Sequence, residues 1–316
     1  MINTGIFFAL LTTLSWSIGI FPFTQAARRL GINPLNNFRL ILATIIIGAI
    51  ASIVGLKDFI KIFSLDYLNV WLWLGVSGII GLTIGDYFAF AMYRVLGARI
   101  GSVLTTFAPA AALILGSLLI NEHISLIGII GIIITITGVN FVSLGKSERE
   151  KIPNHGHGSI AYGILSGVLA ALCQGAGLVL AKKGMMSHEN IQLNPIHATF
   201  IRLSAAATFL FVFTMLKGKI KEVIIPIISN KNEGIKYAVS GTIFGPVIGV
   251  CLSLFTVSLI DPSVAQTIFS LVPAFAFLLS VIFFREKITY KSITGLIVAI
   301  TGVIILIWRE KFIDFF

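Results

Sequence analysis

Long apolar runs recur along this chain, separated by short stretches that carry most of its charges. They lie near 4–24, 35–55, 70–92, 100–119 and 124–144, then 159–180, 197–216, 235–257, 263–283 and 289–308. A helix of such a run rises far enough to cross roughly 30 Å of hydrocarbon, so the pattern predicts ten membrane spans joined by short loops. The first run is too long for a signal-peptide core, lacks a basic stretch before it and ends in Gln25-Ala26-Ala27-Arg28-Arg29. It is expected to be a retained helix. No polar stretch offers room for a soluble nucleotide-binding or catalytic domain of ordinary size.

The pattern also repeats. Laid over the first half at one fixed offset, the second half puts Gly245 on Gly81, Gly249 on Gly85, Pro273-Ala274 on Pro109-Ala110, and Glu286 on Glu122. Gly131 falls on Gly295, and Thr137-Gly138-Val139 falls on Thr301-Gly302-Val303. With small shifts Phe38-Arg39-Leu40 meets Ile201-Arg202-Leu203, and Ala27-Arg28-Arg29 meets Ala181-Lys182-Lys183. The expected fold is therefore an all-α integral membrane protein of two five-helix repeats, 1–145 and 158–316, with a linker over 146–157. Because five is odd, the second repeat enters the bilayer from the opposite side, and the two units are inverted about an axis in the membrane plane. Inverted halves that rock about a central site are a transporter plan.

Composition narrows the alternatives. Hydrophobic residues make up 57% of the 316, charged residues only 11%, and there are two cysteines. Disorder and a disulfide scaffold are excluded. The net charge of +10 is spread between the apolar runs rather than gathered on one segment, so the basic residues read as helix-end anchors and no nucleic-acid partner is expected. The odd-numbered loops hold more than twice the Lys and Arg of the even loops and termini, which by the positive-inside rule puts both termini outside.

Few residues in the spans can carry chemistry. A carboxylate such as Asp86 inside a span costs about 2.5–3.5 kcal/mol and needs a partner, a cavity or a proton. Arg39 and Asp86 lie at similar depth from the same membrane side, so they can pair, either as a packing device or as a proton-coupling or substrate-binding group. Arg202 is the repeat mate of Arg39, but Val250 stands where Asp86 would. The sequence favours Arg202 snorkelling to the interface; left in a cavity, it would meet an anionic group on a solute. Gln174 and Gln266 are amides in apolar spans, able to bond a solute or each other. Trp16, between Ser15 and Ser17 and beside a kink expected at Pro22, is a candidate cavity wall. Pro109, Pro246 and Pro273 free backbone carbonyls within spans. Glu122 and Glu286 read as structural corner residues at helix ends, where solvation is available. The glycines Gly128, Gly131, Gly138, Gly295 and Gly302 read as packing stripes.

Sharper motifs fail. Gly145-Lys146-Ser147 resembles the tail of a phosphate-binding loop, but Asn140 replaces its leading glycine. His155 and His157 have no ligands at metal spacing nearby, and Cys173 and Cys251 read as small apolar fillers. No cofactor and no metal are expected.

The paired signature, Pro109 to Glu122-His123-Ile124-Ser125 then Gly131 and Gly138, and Pro273 to Glu286-Lys287-Ile288-Thr289 then Gly295 and Gly302, resembles the drug/metabolite transporter superfamily and within it the EamA-type ten-helix permeases. The resemblance covers nearly the whole chain. It implies a secondary carrier, often an exporter of amino acids or other small metabolites, with a central cavity and with the fifth and tenth helices outside it. It also implies cytoplasmic termini, against the charge count. The expected partners are a small-molecule solute and the lipid bilayer, with a homo-oligomer left open, and the expected place is the plasma membrane, the inner membrane of a bacterium. Two rivals stand. A membrane-embedded lipid-processing enzyme would group nucleophile, base or metal ligands near one interface, whereas a structural or assembly protein needs no inverted duplication.

Overall fold

The structure, a computed structural model, describes residues 2–143, 159–187, 193–230, 233–284 and 290–308. Its ten long helices follow the apolar runs: α1 Ile2–Arg29, α2 Ile32–Lys61, α3 Leu65–Leu96, α4 Gly101–Ile120, α5 Leu126–Ser143, α6 Ile160–Met186, α7 Pro195–Leu216, α8 Gly234–Leu259, α9 Pro262–Ile282 and α10 Tyr290–Ile307. No strand occurs among the described residues. Eight of these helices are long and apolar enough to cross a bilayer outright, and α5 and α10 contribute shorter apolar stretches of the same character. Large apolar side chains such as Ile53, Leu118, Ile133 and Ile282 face outward, as a lipid-facing surface requires. The boundaries lie where the local chemistry puts them. Asn194 caps α7 by accepting from the Ile196 N–H at 2.9 Å, with Pro195 at the first helical position, and Ser159 caps α6. Helix α1 runs unbroken through Pro22.

Packing follows the inversion. Helix α1 lies against α8 and α9 of the other repeat, and α6 lies against α3 and α4 in the same way, while α2 meets α7 across the pseudo-twofold axis. Helices α5 and α10 pack on each other along a close glycine seam. A Cβ added at Gly138 would stand 2.2 Å from Ala299 N, and one at Gly302 would stand 2.4 Å from Thr135 N, so only glycine admits this approach. Gly131 and Gly295 belong to the same seam.

Two features differ from the sequence expectation. A short helix, Ile220–Ile228, occupies what reads as a loop between the seventh and eighth spans; at nine residues it is too short to cross. It buries Val223, leaves Ile225 and Ile228 exposed and carries Lys221, the arrangement of a helix lying in the membrane interface. Second, α3 and α8 are not α-helical throughout. Ile79–Gly85 in α3 and Ile243–Val250 in α8 are π-helical, and they start at positions that the repeat offset makes equivalent. Their sequences, IIGLTIG and IFGPVIGV, are rich in glycine, and Pro246 has no N–H to give to an α-helical ladder. The fourth helix of each repeat also breaks, at Thr105–Phe107 before Pro109 and at Ser270–Leu271 before Pro273. The linker 146–157, Gly145-Lys146-Ser147, His155, His157 and Glu286 lie outside the described residues.

Candidate binding cavity between the repeats

The π-helical segments and the proline breaks converge on a cavity of about 110 Å³ between the repeats. A water needs roughly 10–15 Å³ on the same scale, so the space suits a small solute rather than one water. Trp16, Arg39, Asp86, Gln174, Arg202 and Gln266 all line it, and among the described residues none of α5 or α10 does.

Arg39 anchors the first repeat's side. Its Nη2 lies 2.6 Å from Asp86 Oδ2, and the guanidinium also donates to Asn36 Oδ1, at 3.1 Å from Nε and 2.9 Å from Nη2, and to Leu82 O at 2.5 Å. Asn36 in turn donates to Thr83 O at 3.0 Å. Leu82 and Thr83 belong to the π-helical segment, so α2 supplies donors to the carbonyls of that irregular turn. The guanidinium further rests 5.0 Å from the centre of the Phe90 ring. Arg39 is 1% exposed.

The second repeat's π-helical segment is served differently, from the first repeat. Ser15 Oγ of α1 donates to Phe244 O at 2.6 Å. Thr13 and Ser17, one helical turn apart on α1, reach Ile268 O and Val272 O at the break in α9, each at 3.2 Å. Trp16 lies between these hydroxyls in sequence and packs edge-on against Phe269, with ring centroids 5.0 Å apart. It fits because Gly249 has no Cβ: one added there would stand 2.3 Å from the indole. Gln266 Nε2 donates to the backbone carbonyl of Gln174 at 3.2 Å, so the two amide residues meet through main chain rather than amide to amide.

Arg202 corrects the sequence reading. It does not snorkel: it is 4% exposed and lines the cavity. The physical cause is depth and cover. Helix α7 begins at Pro195, which sets Arg202 seven residues, about 10 Å, below the helix start. Helix α3 then crosses directly over it, since a Cβ at Gly78 would lie 2.2 Å from Arg202 O, and Gly81 faces the guanidinium. Among the described residues Arg202 Nε has no hydrogen-bond partner, and Asp86 is the carboxylate that acts on Arg202 electrostatically. Val250, in the place equivalent to Asp86, presents only a hydrocarbon surface to the cavity.

Glu122 requires a second correction. Read as a solvated corner, it is 5% exposed. Asn121 adopts a left-handed backbone, φ 52°, and turns the chain so that Glu122 folds inward; its Oε1 accepts from Ser263 N at 3.2 Å and from the Ser263 hydroxyl. A carboxylate there sits at the N-terminus of α9, where the helix dipole and the free N–H groups favour it.

Asn36, Ser253, Ser270 and Tyr93 belong to the site or its support and do not stand out in the sequence. A signal exists for two of them. Asn36-Asn37 is a polar pair beside Arg39 in an apolar run, and Tyr93 lies seven residues after Asp86, hence on the same helical face.

The sequence profile of the EamA-like transporter family matches residues 3–144 and again 161–308. The chain belongs to the EamA-like transporter family. A protein of Archaeoglobus fulgidus named as an uncharacterized transporter is 36% identical over 114 residues, covering 36% of this chain and 38% of that protein. The chain thus matches little more than a third of that relative's length. A solved crystal structure superposes with a TM-score of 0.63 over 96% of this chain and 95% of its own, at 15% identity, a likeness of fold alone. The cavity described above therefore sits in the frame of an EamA-like multi-pass membrane protein, at the interface of its two repeats.

Proposed function

We propose that the protein is a secondary-active carrier that moves small solutes by alternating access, exporting amino acids or other small metabolites across the plasma membrane, without ATP hydrolysis. The units that rock are the repeats 1–145 and 158–316. The observation that carries the substrate class is Arg202, a buried cation lining the cavity with an unused Nε donor among the described residues and Val250 where its acid would be. Asp86 offsets Arg39, so the uncompensated charge at the cavity is positive and favours a solute bearing a carboxylate or phosphate, zwitterions included, over a pure cation. In this reading Trp16, Gln174 and Gln266 contact the solute, and Asp86 with Arg39 forms the coupling element. Asp86 is suited to that role as the only carboxylate among the described residues that line the cavity.

The test is competition in proteoliposomes between anionic, zwitterionic and cationic compounds of matched size. Preference for the carboxylate-bearing compounds is the expected result. Preferential transport of lipophilic cations would show that Asp86 sets selectivity, and turnover of a lipid with no solute movement would replace the carrier by an enzyme.

A further inference from the structure

The polar contacts at the ends of α1 and α6 repeat with the same inversion as the backbone. At the end of α1, Arg28 Nε donates to Arg94 O, 3.3 Å away near the end of α3, and the Arg29 guanidinium lies 4.6 Å from the centre of the Tyr237 ring at the start of α8. At the end of α6, Lys182 Nζ donates to Val257 O, 2.5 Å away near the end of α8, and the Lys183 ammonium lies 4.8 Å from the centre of the Trp73 ring near the start of α3. Trp73 and Tyr237 are repeat mates, related by the same offset that lays Gly81 on Gly245. Lys183 also donates to Leu119 O at 2.9 Å, at the end of α4.

In each basic pair, the first residue holds the end of a third helix and the second reaches across to an aromatic ring of the other repeat. Helices α1 and α6 end on opposite membrane faces, because the repeats are inverted. There is thus an inter-repeat cation–ring contact at each face.

We propose that Arg29 on Tyr237 and Lys183 on Trp73 are paired gate latches, whose alternate release decides which face of the cavity opens. The proposal rests on the alternating-access reading above. Rocking of inverted halves about a midplane site must separate the inter-repeat contacts at one face while it closes those at the other. A contact used this way has to be weak enough to break in every cycle. A cation on an aromatic ring meets that requirement, and a buried ion pair such as Arg39 with Asp86 does not. Both latches are made in this structure, and removing either one is expected to shift the balance between the two open states by about fivefold.

Tyr237 also receives Lys236 at 5.4 Å, but Lys236 belongs to α8 like the ring and ties nothing across the repeats. That difference supplies a control. The experiment uses the full chain with Cys173 and Cys251 replaced by alanine and a single reporter, Ser253→Cys, in the cavity wall. A membrane-impermeant maleimide is added to intact cells or to inside-out vesicles, so that each face is read separately. Arg29→Gln and Tyr237→Leu are expected to raise labelling about fivefold from the face where α1 ends and to lower it from the other. Lys183→Gln and Trp73→Leu should do the reverse, while Tyr237→Phe, Trp73→Phe and Lys236→Gln should label like the parent. The labelled fraction is collected after size exclusion, so misfolded variants do not contribute. Unchanged labelling, changes in the same direction at both faces, or Lys236→Gln matching Arg29→Gln would overturn the latches. Reciprocal labelling with no movement of any carboxylate-bearing solute would uphold the latches and defeat only the substrate reading.

Discussion

The first and second repeats share one backbone and differ in how they treat a buried arginine. Each has a π-helical segment in its third helix, a break before a proline in its fourth, and an arginine early in its second. In the first repeat that arginine has an acid at 2.6 Å, an amide and a backbone carbonyl. In the second, Arg202 Nε has no hydrogen-bond partner among the described residues, and the π-helical segment is served by Ser15 from another helix. In the carrier proposed above, symmetric backbone devices suit a motion that runs equally toward both faces. The asymmetric polar groups suit a solute with one charged end, because duplicated ion pairs would leave no free charge to meet it.

Six substitutions probe that contrast. Arg39→Met should have the largest effect, since it strands Asp86 and exposes the Leu82 carbonyl to hydrocarbon; a loss of about 3 kcal/mol or more, read as thermal unfolding in detergent, is expected. Asp86→Asn should cost less stability, because Asn36 and the Leu82 carbonyl still accept from Arg39, but should abolish any dependence of transport on pH between 5 and 8. Val250→Asp gives the second repeat the acid it lacks. Transport of carboxylate-bearing solutes should fall about thirtyfold or more, the factor for losing a charge partner worth ~2 kcal/mol. A variant that transports at the parent rate would mean that the missing acid beside Arg202 has no role.

Arg202→Gln should lower carboxylate transport by about tenfold, as for one lost charge-assisted hydrogen bond, and should leave thermal stability unchanged or higher, since no acid is stranded. A marked drop in melting temperature would reveal Arg202 as a structural cation. The smallest effects belong to the donors that serve the π-helical carbonyls. Asn36→Ala is expected to cost about 1 kcal/mol and Ser15→Ala about 0.6 kcal/mol, compared by unfolding midpoints. The reverse order would place the tighter support in the second repeat.

Much of this is legible from the chain alone. Apolar runs, a fixed offset and matched prolines are enough for ten helices in two inverted units, because hydrocarbon thickness and the backbone's need for internal hydrogen bonds leave few alternatives. Counting residues from helix ends also puts Arg39 and Asp86 at one level. Rotation about a helix axis is harder to read. Arg202 and Glu122 both lie toward helix ends, where hydropathy permits solvation; what buries them is the crossing of α3 at Gly78 in one case and the left-handed turn at Asn121 in the other. The π-helical segments escape notice because hydropathy carries no information on hydrogen-bond register. Their glycines are visible, but glycine marks close packing as readily. The helix Ile220–Ile228 falls below the length that marks a span.

The π-helical stretch in α3 also acts as a phase shifter. Moving from i+4 to i+5 bonding accommodates an extra residue per turn without lengthening the helix by a full step, so residues after Gly85 present a different angular face from the one an uninterrupted α-helix would give. Upstream, Gly75 and Gly78 press against α7; downstream, Asp86, Phe90 and Tyr93 look into the cavity. One helix thereby serves as a packing strut over its first half and as a site wall over its second. In this segment hydrogen-bond register matters more than residue identity: a return to α-helical bonding with every residue kept would turn Asp86 by about 100° relative to Gly78, away from Arg39, with every side chain still present.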